Sequence, residues 1–596
     1  MVIFDDKQQV MLYRFLSNNT LRAKLSTMIF LSFFSFIKCT GVEDLPQGDA
    51  DNGGLFLPGG FDAVVVVDSI GSARHLAVNS NEDIYVKLRN PVSGKGSVAL
   101  RDTDNDGRAD IVQYFGDYVD EGNYGTAMRI YNGYLYFSTI GEVYRTKLTA
   151  GKLIPERKSE LILKDDYKND VHGFQHVAKP VTFDNKGNMY VPYGAPSDVC
   201  QVNDRKPGSP GQNPCPELEE HGGIWQFDAD KLGQVQKDGK RYATGIRSVV
   251  AMDWNPVDNS LHAVLHGRDG FATPDYYSPW ENAVLPSEEF LRIKEGTDAG
   301  WPYYYYDFMK GKRLLNPEYG GDGKKEGNGK EYAQPLIGFP GHFAPNDLFF
   351  YRGDQFPECY KNGAFIAFHG SGIRAPYPQA GYFICFVPFE KGSPSGPWEV
   401  FADGFAGTDT IFSTSDARYR PMGIAMGPDG SLYISESVKG KIWRIMFKGD
   451  KDNFGAAQLA EMEKRKESQP NIRTPHELND NLERGEIMKS AVLYDKYCAS
   501  CHQSNGKGDG TRFPPLENSE WVRGDKQRLI DIVVNGIAGP ITVNGVGYNG
   551  AMPANDFLKD EDIALILSYV RQNFKNNAGV ILPAEVRRVR EKAKKS

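Results

Sequence analysis

Six times between residues 61 and 447 a short apolar strand meets a turn rich in Asn, Asp or Gly, then leaves as a second strand. The copies run from Ala73 to Val86, Ala127 to Tyr136, Val181 to Val191, Ala251 to His262, Asp347 to Phe368 and Gly423 to Ile434. Alternating strands joined by such turns are hairpins. One strand unit cannot bury its own face, so a unit recurring at about forty residues or more packs side by side into a β-propeller. The expectation is an all-β six-bladed propeller over 61–447; the irregular spacing is also compatible with five or seven blades. Insertions over 198–220, 270–285 and 314–341 are rich in Gly, Pro, Asn and Tyr. Long loops on a rigid scaffold usually build sites.

The C-terminal part has a different texture. Cys498-Ala-Ser-Cys501-His502 places two thiols two residues apart with His next. That spacing suits covalent haem attachment through Cys498 and Cys501, with His502 as the proximal iron ligand. A zinc half-site and a redox dithiol are the alternatives, but zinc needs about four protein ligands, and no Cys or His follows His502. One Met follows it, Met552, and is the expected sixth ligand, the combination that raises a haem potential. The rival role for Met552 is core filling. Residues 485–576 resemble a class I cytochrome c domain, which implies a small all-α fold with haem c, Met552 in a loop, and a last amphipathic helix from Asp560 to Phe574. Residues 448–484 read as a linker with one helix over Ala456 to Lys466, and 577–596 as a basic tail.

The N-terminus carries Arg14, Arg22 and Lys24 before the apolar run Met28 to Ile37, too short to span a bilayer and suited to a signal over 1–39. Cys39 offers a lipid anchor to the envelope; a plain secretory signal is the alternative, and 40–60 is a polar connector. Outside the haem motif and Cys39 the chain has four cysteines, for which local pairing, Cys200–Cys215 and Cys359–Cys385, is the simplest of three connectivities in an oxidising, exported setting. A net charge of −8 argues against nucleic acid as a partner and is compatible with a neutral small substrate.

Within the propeller, five motifs in order resemble the soluble glucose/sorbosone dehydrogenase family: His176-Val-Ala-Lys-Pro-Val-Thr-Phe183, Gly245-Ile-Arg247-Ser248, Gly300-Trp-Pro302, His369-Gly-Ser-Gly-Ile-Arg374 and Arg418-Tyr-Arg420. The resemblance implies a propeller that binds pyrroloquinoline quinone (PQQ) and calcium and oxidises sugars. On it, His176 is the expected base, with His172 as its competitor, and Arg247, Arg374, Arg418 and Arg420 are expected against the cofactor's carboxylates, which forked guanidiniums suit. Calcium is expected on Glu288, Glu289 or Asp269. A second calcium candidate is Asp102-Thr-Asp104-Asn-Asp106-Gly107, where Gln113 replaces the usual twelfth-position Glu. Ser248, Gly372 and Ile373 depart from the family pattern and bear on the substrate. The expected whole is a quinohaemoprotein sugar dehydrogenase that delivers electrons to a cytochrome or oxidase. The rival is a sugar- or protein-binding propeller whose cytochrome serves another enzyme.

Overall fold

Each of the six copies forms the inner hairpin of one sheet, and the six sheets are the blades of a propeller. In the computed structural model the described residues are 45–116, 125–165, 175–271, 277–326, 332–374, 377–408, 410–411, 413–475, 490–576 and 578–593. Cys39, the apolar run before it and His172 lie outside them. Among the described residues no helix is long and apolar enough to cross a membrane.

The innermost strands of the blades are Ala73–Val78, Met128–Tyr131, Thr182–Phe183, Val249–Asn255, Pro345–Phe350 and Pro421–Met426. They are crowded on both faces, which is why several read as almost unbroken apolar runs; all seven residues of Val249–Asn255 are buried. The ring is closed by the first strand: Phe61–Val67 pairs antiparallel with Ile442–Phe447, Phe61 opposite Phe447. Phe61 also packs edge-on against Phe356, Phe401 and Phe447 with ring centroids 4.8–5.1 Å apart, a preferred aromatic geometry.

The segment read as a linker is bound to the propeller. Helix Ala456–Ser468 buries Met462 and Arg465, and Arg465 donates to Asp403 at 2.6 Å while lying over the Phe56 ring. Beyond it, Asn471 and Gly381 exchange two hydrogen bonds, and Trp280 Nε1 donates to the Pro475 carbonyl at 2.7 Å.

The cytochrome domain is helical, over 490–497, Ala499–His502, Glu520–Arg523, Lys526–Asn535, Asp560–Gln572 and Pro583–Ala593. Asp560, Glu561 and Asp562 occupy the first turn of the penultimate helix, where the helix dipole favours acids. Two features differ from the all-α expectation. Ile537–Val543 and Val546–Met552 form a hairpin whose turn, Asn544-Gly545, has positive φ at both residues; Asn-Gly is the favoured two-residue turn. Met552 therefore ends a strand opposite Ile537 rather than sitting in a loop. The basic tail contains the helix Pro583–Ala593, whose Val586 and Val589 are buried in the domain core.

One expected disulfide is present and one is not. Cys200 and Cys215 are bonded, whereas Cys359 and Cys385 are free. Cys359 lies exposed within the one-turn helix Glu358–Tyr360, while Cys385 is fully buried in strand Phe383–Val387, paired with Ile366 and Val400, so the strand directs its thiol into the blade.

Candidate active site and haem cleft

The propeller site lies where the innermost strands begin. His176, Arg247 and Arg420 each precede the inner strand of their blade, which points them at the mouth of the ring. The motifs hold one another. Gly245 O accepts the Trp301 N–H at 3.0 Å, and Trp301 Nε1 donates to Asp198 O at 2.9 Å. Gly245 has φ +70°, and a Cβ there would meet Asp298 Oδ1 at 2.1 Å, so the close approach of the two motifs requires Gly. The Asp198 carboxylate lies 2.8 Å from Arg247 Nη2, and Asp269 lies 3.1 Å from the same nitrogen, as ion pairs rather than aligned hydrogen bonds. Arg205 also pairs with Asp269. The Cys200–Cys215 bond closes the insertion that supplies Asp198 and Arg205.

His176 sits in this charged nest. Its Nδ1 is 2.6 Å from the Ala195 carbonyl, so Nδ1 carries the proton and Nε2 the lone pair. Burial, then the Arg247 charge, lower its pKa to about 3, so the ring is neutral at ordinary pH. The residue has φ +54°, and a Cβ on Gly194 would meet its carbonyl oxygen at 2.3 Å. Backbone strain of this kind persists only where the surroundings hold it. Further residues complete the mouth: His266 bonds to Pro345 O at 2.7 Å, and His369 Nε2 lies 2.6 Å from Ser437 Oγ. Arg420 donates to the His369 and Gly370 carbonyls. Arg418 is exposed, its guanidinium over Tyr419. Arg374 is fully buried, its Nε on Ala283 O at 2.8 Å. Sequence reasoning missed Asp198, Arg205, His266 and Arg268, the last paired with Glu318 at 2.6 Å; the run Gly267-Arg268-Asp269 was the available signal.

The acids expected to hold the first calcium already have protein partners. Glu288 and Glu289 are neighbours on one strand and so face opposite ways. Glu288 accepts the Gly267 and Ala344 N–H groups, Glu289 is locked to Arg313 at 2.5 Å, and Asp269 is held by Arg205 and Arg247. Among the described residues, the acidic group that could hold a metal is Asp102, Asp104 and Asp106.

Burial raises the Glu288 pKa from 4.5 to about 7 against the pull of its two N–H donors. The folded state therefore holds its proton more tightly than the unfolded chain. That contribution is fully present below pH 4.5 and is lost as pH rises through about 7, with a full size of roughly 3 kcal/mol. Glu288→Gln should flatten the melting-temperature profile across this window; a profile identical to the wild type would refute the account.

In the second domain, Cys498, Cys501, His502 and Met552 line one cavity of about 250 Å³, walled by Leu529, Val533, Leu567 and Val570. His502 Nδ1 bonds to the Pro514 carbonyl at 2.9 Å, which leaves Nε2 for a metal. Apolar walls, two thiols and N and S donors lining the same cavity fit haem.

Comparison with known proteins agrees with both halves. Residues 311–448 match the family described as TrAA12-like, and residues 487–574 match cytochrome c. Over 77 residues, 12% of this chain and 59% of the relative, the chain is 42% identical to cytochrome c-552 of Thermus thermophilus. The chain spans about half the length of the curated relatives it matches. The iodide structure of a Trichoderma reesei carbohydrate-active enzyme of family AA12 superposes with a TM-score of 0.53 at 16% identity, over 66% of this chain and 98% of that one. The PQQ domain of pyranose dehydrogenase from Coprinopsis cinerea gives 0.52 at 16% identity, over 66% and 97%. At that identity the likeness shows the fold.

Proposed function

We propose, for a chain that joins a TrAA12-like propeller domain to a C-terminal cytochrome c domain, a quinohaemoprotein dehydrogenase that oxidises an aldose or related sugar and passes the electrons to its own haem. The observation that carries this reading is His176: a neutral imidazole whose tautomer is fixed by Ala195, with Nε2 left to take a hydroxyl proton, beside Arg247. A general base must present its lone pair in the right protonation state, and this one does so without reorganisation.

Pyrroloquinoline quinone, when bound, would supply the acceptor for the hydride, which carries both electrons of the oxidation. It is a tricarboxylate, and cations are at hand for it: Arg420 is half-buried against the His369 and Gly370 carbonyls, Arg418 is exposed, and the two terminal nitrogens of Arg374 are buried without a partner. Arg247, pinned by Asp198 and Asp269, keeps His176 unprotonated and fixes the wall against which a substrate lies. Held by two carboxylates, Arg247 has a fixed place, and its part is positioning. Calcium is assigned to the Asp102–Asp106 loop, whose side chains already fold the backbone around Asp102.

Covalent haem and the Cys200–Cys215 bond suit an exported protein that delivers single electrons to a cytochrome or oxidase. The test is reconstitution with the quinone and calcium, followed by a panel of aldoses, reading the haem absorption. Sugar-dependent reduction that requires the quinone is expected. Quinone uptake with no haem reduction by any aldose would overturn the assignment.

A further inference from the structure

The ring has a second mouth. His176, Arg247 and Arg420 stand where the inner strands begin; the far ends of the same six strands enclose a cavity of about 430 Å³ to which every blade contributes. That size falls within the range of ligand pockets, about 300–1,000 Å³, and the proposed reaction does not use it.

Its walls combine two kinds of surface. Tyr131, Phe183 and Phe349 line it with half-buried rings. Tyr131 and Phe183 stack with centroids 4.4 Å apart and an interplanar angle of 9°, and the Arg352 guanidinium lies 5.8 Å from the centre of the Phe349 ring. The charged part is balanced. Arg129 donates to Asp347 at 2.6 Å and Arg352 to Asp253 at 3.2 Å. The acids are engaged on both oxygens. Asp347 also accepts the Leu348 and Ile424 N–H groups, and Asp253 those of Trp254 and Phe350. Asp184, the other acid of the wall, accepts from Lys186, Asn188 and Tyr190. Each guanidinium is therefore matched by a carboxylate, and each carboxylate is already bonded, so neither an anion nor a metal cation finds a partner to spare.

What stays unspent is hydrogen-bonding capacity without net charge. Arg352 uses Nη2 alone, on Asp253 and the Trp254 carbonyl, which leaves Nε and Nη1. The Asn185 side chain lines the same cavity and makes no hydrogen bond among the described residues. Flat apolar faces beside a few uncommitted polar groups match the chemistry of a sugar ring. Its C–H face lies on an aromatic ring, while its hydroxyls, each donor and acceptor, take polar partners at the edge.

We infer that the mouth of the propeller opposite His176 is a second, non-catalytic site for a neutral saccharide of one or two rings, held between the aromatic wall and Arg352. A sugar bound there sits outside the cleft of the proposed reaction and is held without being converted. The ligand has two sources, a free sugar or a unit of a carbohydrate chain.

The test is calorimetric titration of the full chain, without quinone, with glucose, cellobiose and citrate, in the wild type, Arg352→Gln, Phe349→Leu and His176→Ala. Saccharide binding is expected in the wild type and in His176→Ala. Arg352→Gln should weaken it about 10- to 100-fold, the worth of hydrogen bonds to a charged group. Phe349→Leu, which keeps an apolar side chain but removes the flat face, should weaken it too. With quinone loaded, both of these variants should reduce haem at the wild-type rate. Tighter binding of cellobiose than of glucose assigns the site to a chain unit, and the reverse to a free sugar; either supports the site. Absence of saccharide binding, wild-type affinity in both Arg352→Gln and Phe349→Leu, its loss in His176→Ala alone, uptake of citrate in place of sugar, or a parallel loss of haem reduction would overturn the inference. The dehydrogenase reading is tested separately, by haem reduction in the quinone-loaded wild type.

Discussion

On the proposed reading, replacing His176 by Ala is expected to slow sugar-dependent haem reduction by about 10²–10⁴-fold, the range for loss of a general base, while quinone and haem stay bound. Chemically reduced quinone restores haem reduction, because the path beyond the propeller cleft is untouched. The pH profile supplies an independent reading. An ordinary imidazole loses its basic form below about 6.5, and activity would fall there. His176, lowered to about 3, keeps its lone pair down to pH 4 or so. The wild-type profile should therefore show no acid limb near 6.5, and Arg247→Ala should bring one up toward neutrality by removing the depressing charge. An acid limb at 6.5 in the wild type, or full activity in His176→Ala, would remove this residue from the role.

The second large effect is at the haem. Cys498→Ala with Cys501→Ala leaves a propeller that folds, and a chain that carries no haem through denaturation. A haem stain that survives denaturing electrophoresis in the double variant would refute the attachment. Met552→Ala should lower the potential and open the iron to added ligands such as imidazole, since the 250 Å³ cavity then has no thioether to offer. An unchanged potential would mean that another side chain completes the coordination.

The strand pairs were legible because most inner hairpins announce themselves by alternation and a short turn, Pro345–Phe350 with Ala364–Phe368 being the wide exception. The quoted motifs were legible too, and their meaning becomes physical in the structure: Gly245 is small because Asp298 and the Ala299-Gly300 backbone press against it. What escaped was long-range. Asp198 is one acid in a long insertion until the disulfide and the Trp301 bond bring it to Arg247. Glu288 had the right spacing for a metal ligand, yet spacing cannot tell a carboxylate that binds an ion from one that braces two backbone N–H groups. The Cys359–Cys385 pairing failed because proximity along a hairpin does not fix which face of a strand a thiol takes. The final helix was hidden by its charge: Val586 and Val589 give a narrow apolar stripe in a strongly basic segment.

The closure of the ring through Phe61–Val67 sets an order of events during synthesis. The strand that leaves the ribosome early has no partner until Ile442–Phe447 has followed it, so nearly the whole propeller must wait, with an open sheet edge, for its last blade. Pairings this far apart in sequence make folding slow. The thiols that receive haem emerge later still. A nascent chain that stalls before residue 442 can complete neither centre, whereas one cut short after Pro475 keeps every strand of the propeller and the helix packed on it but has no outlet for its electrons. Truncation in this protein thus separates the two redox centres cleanly from one side only.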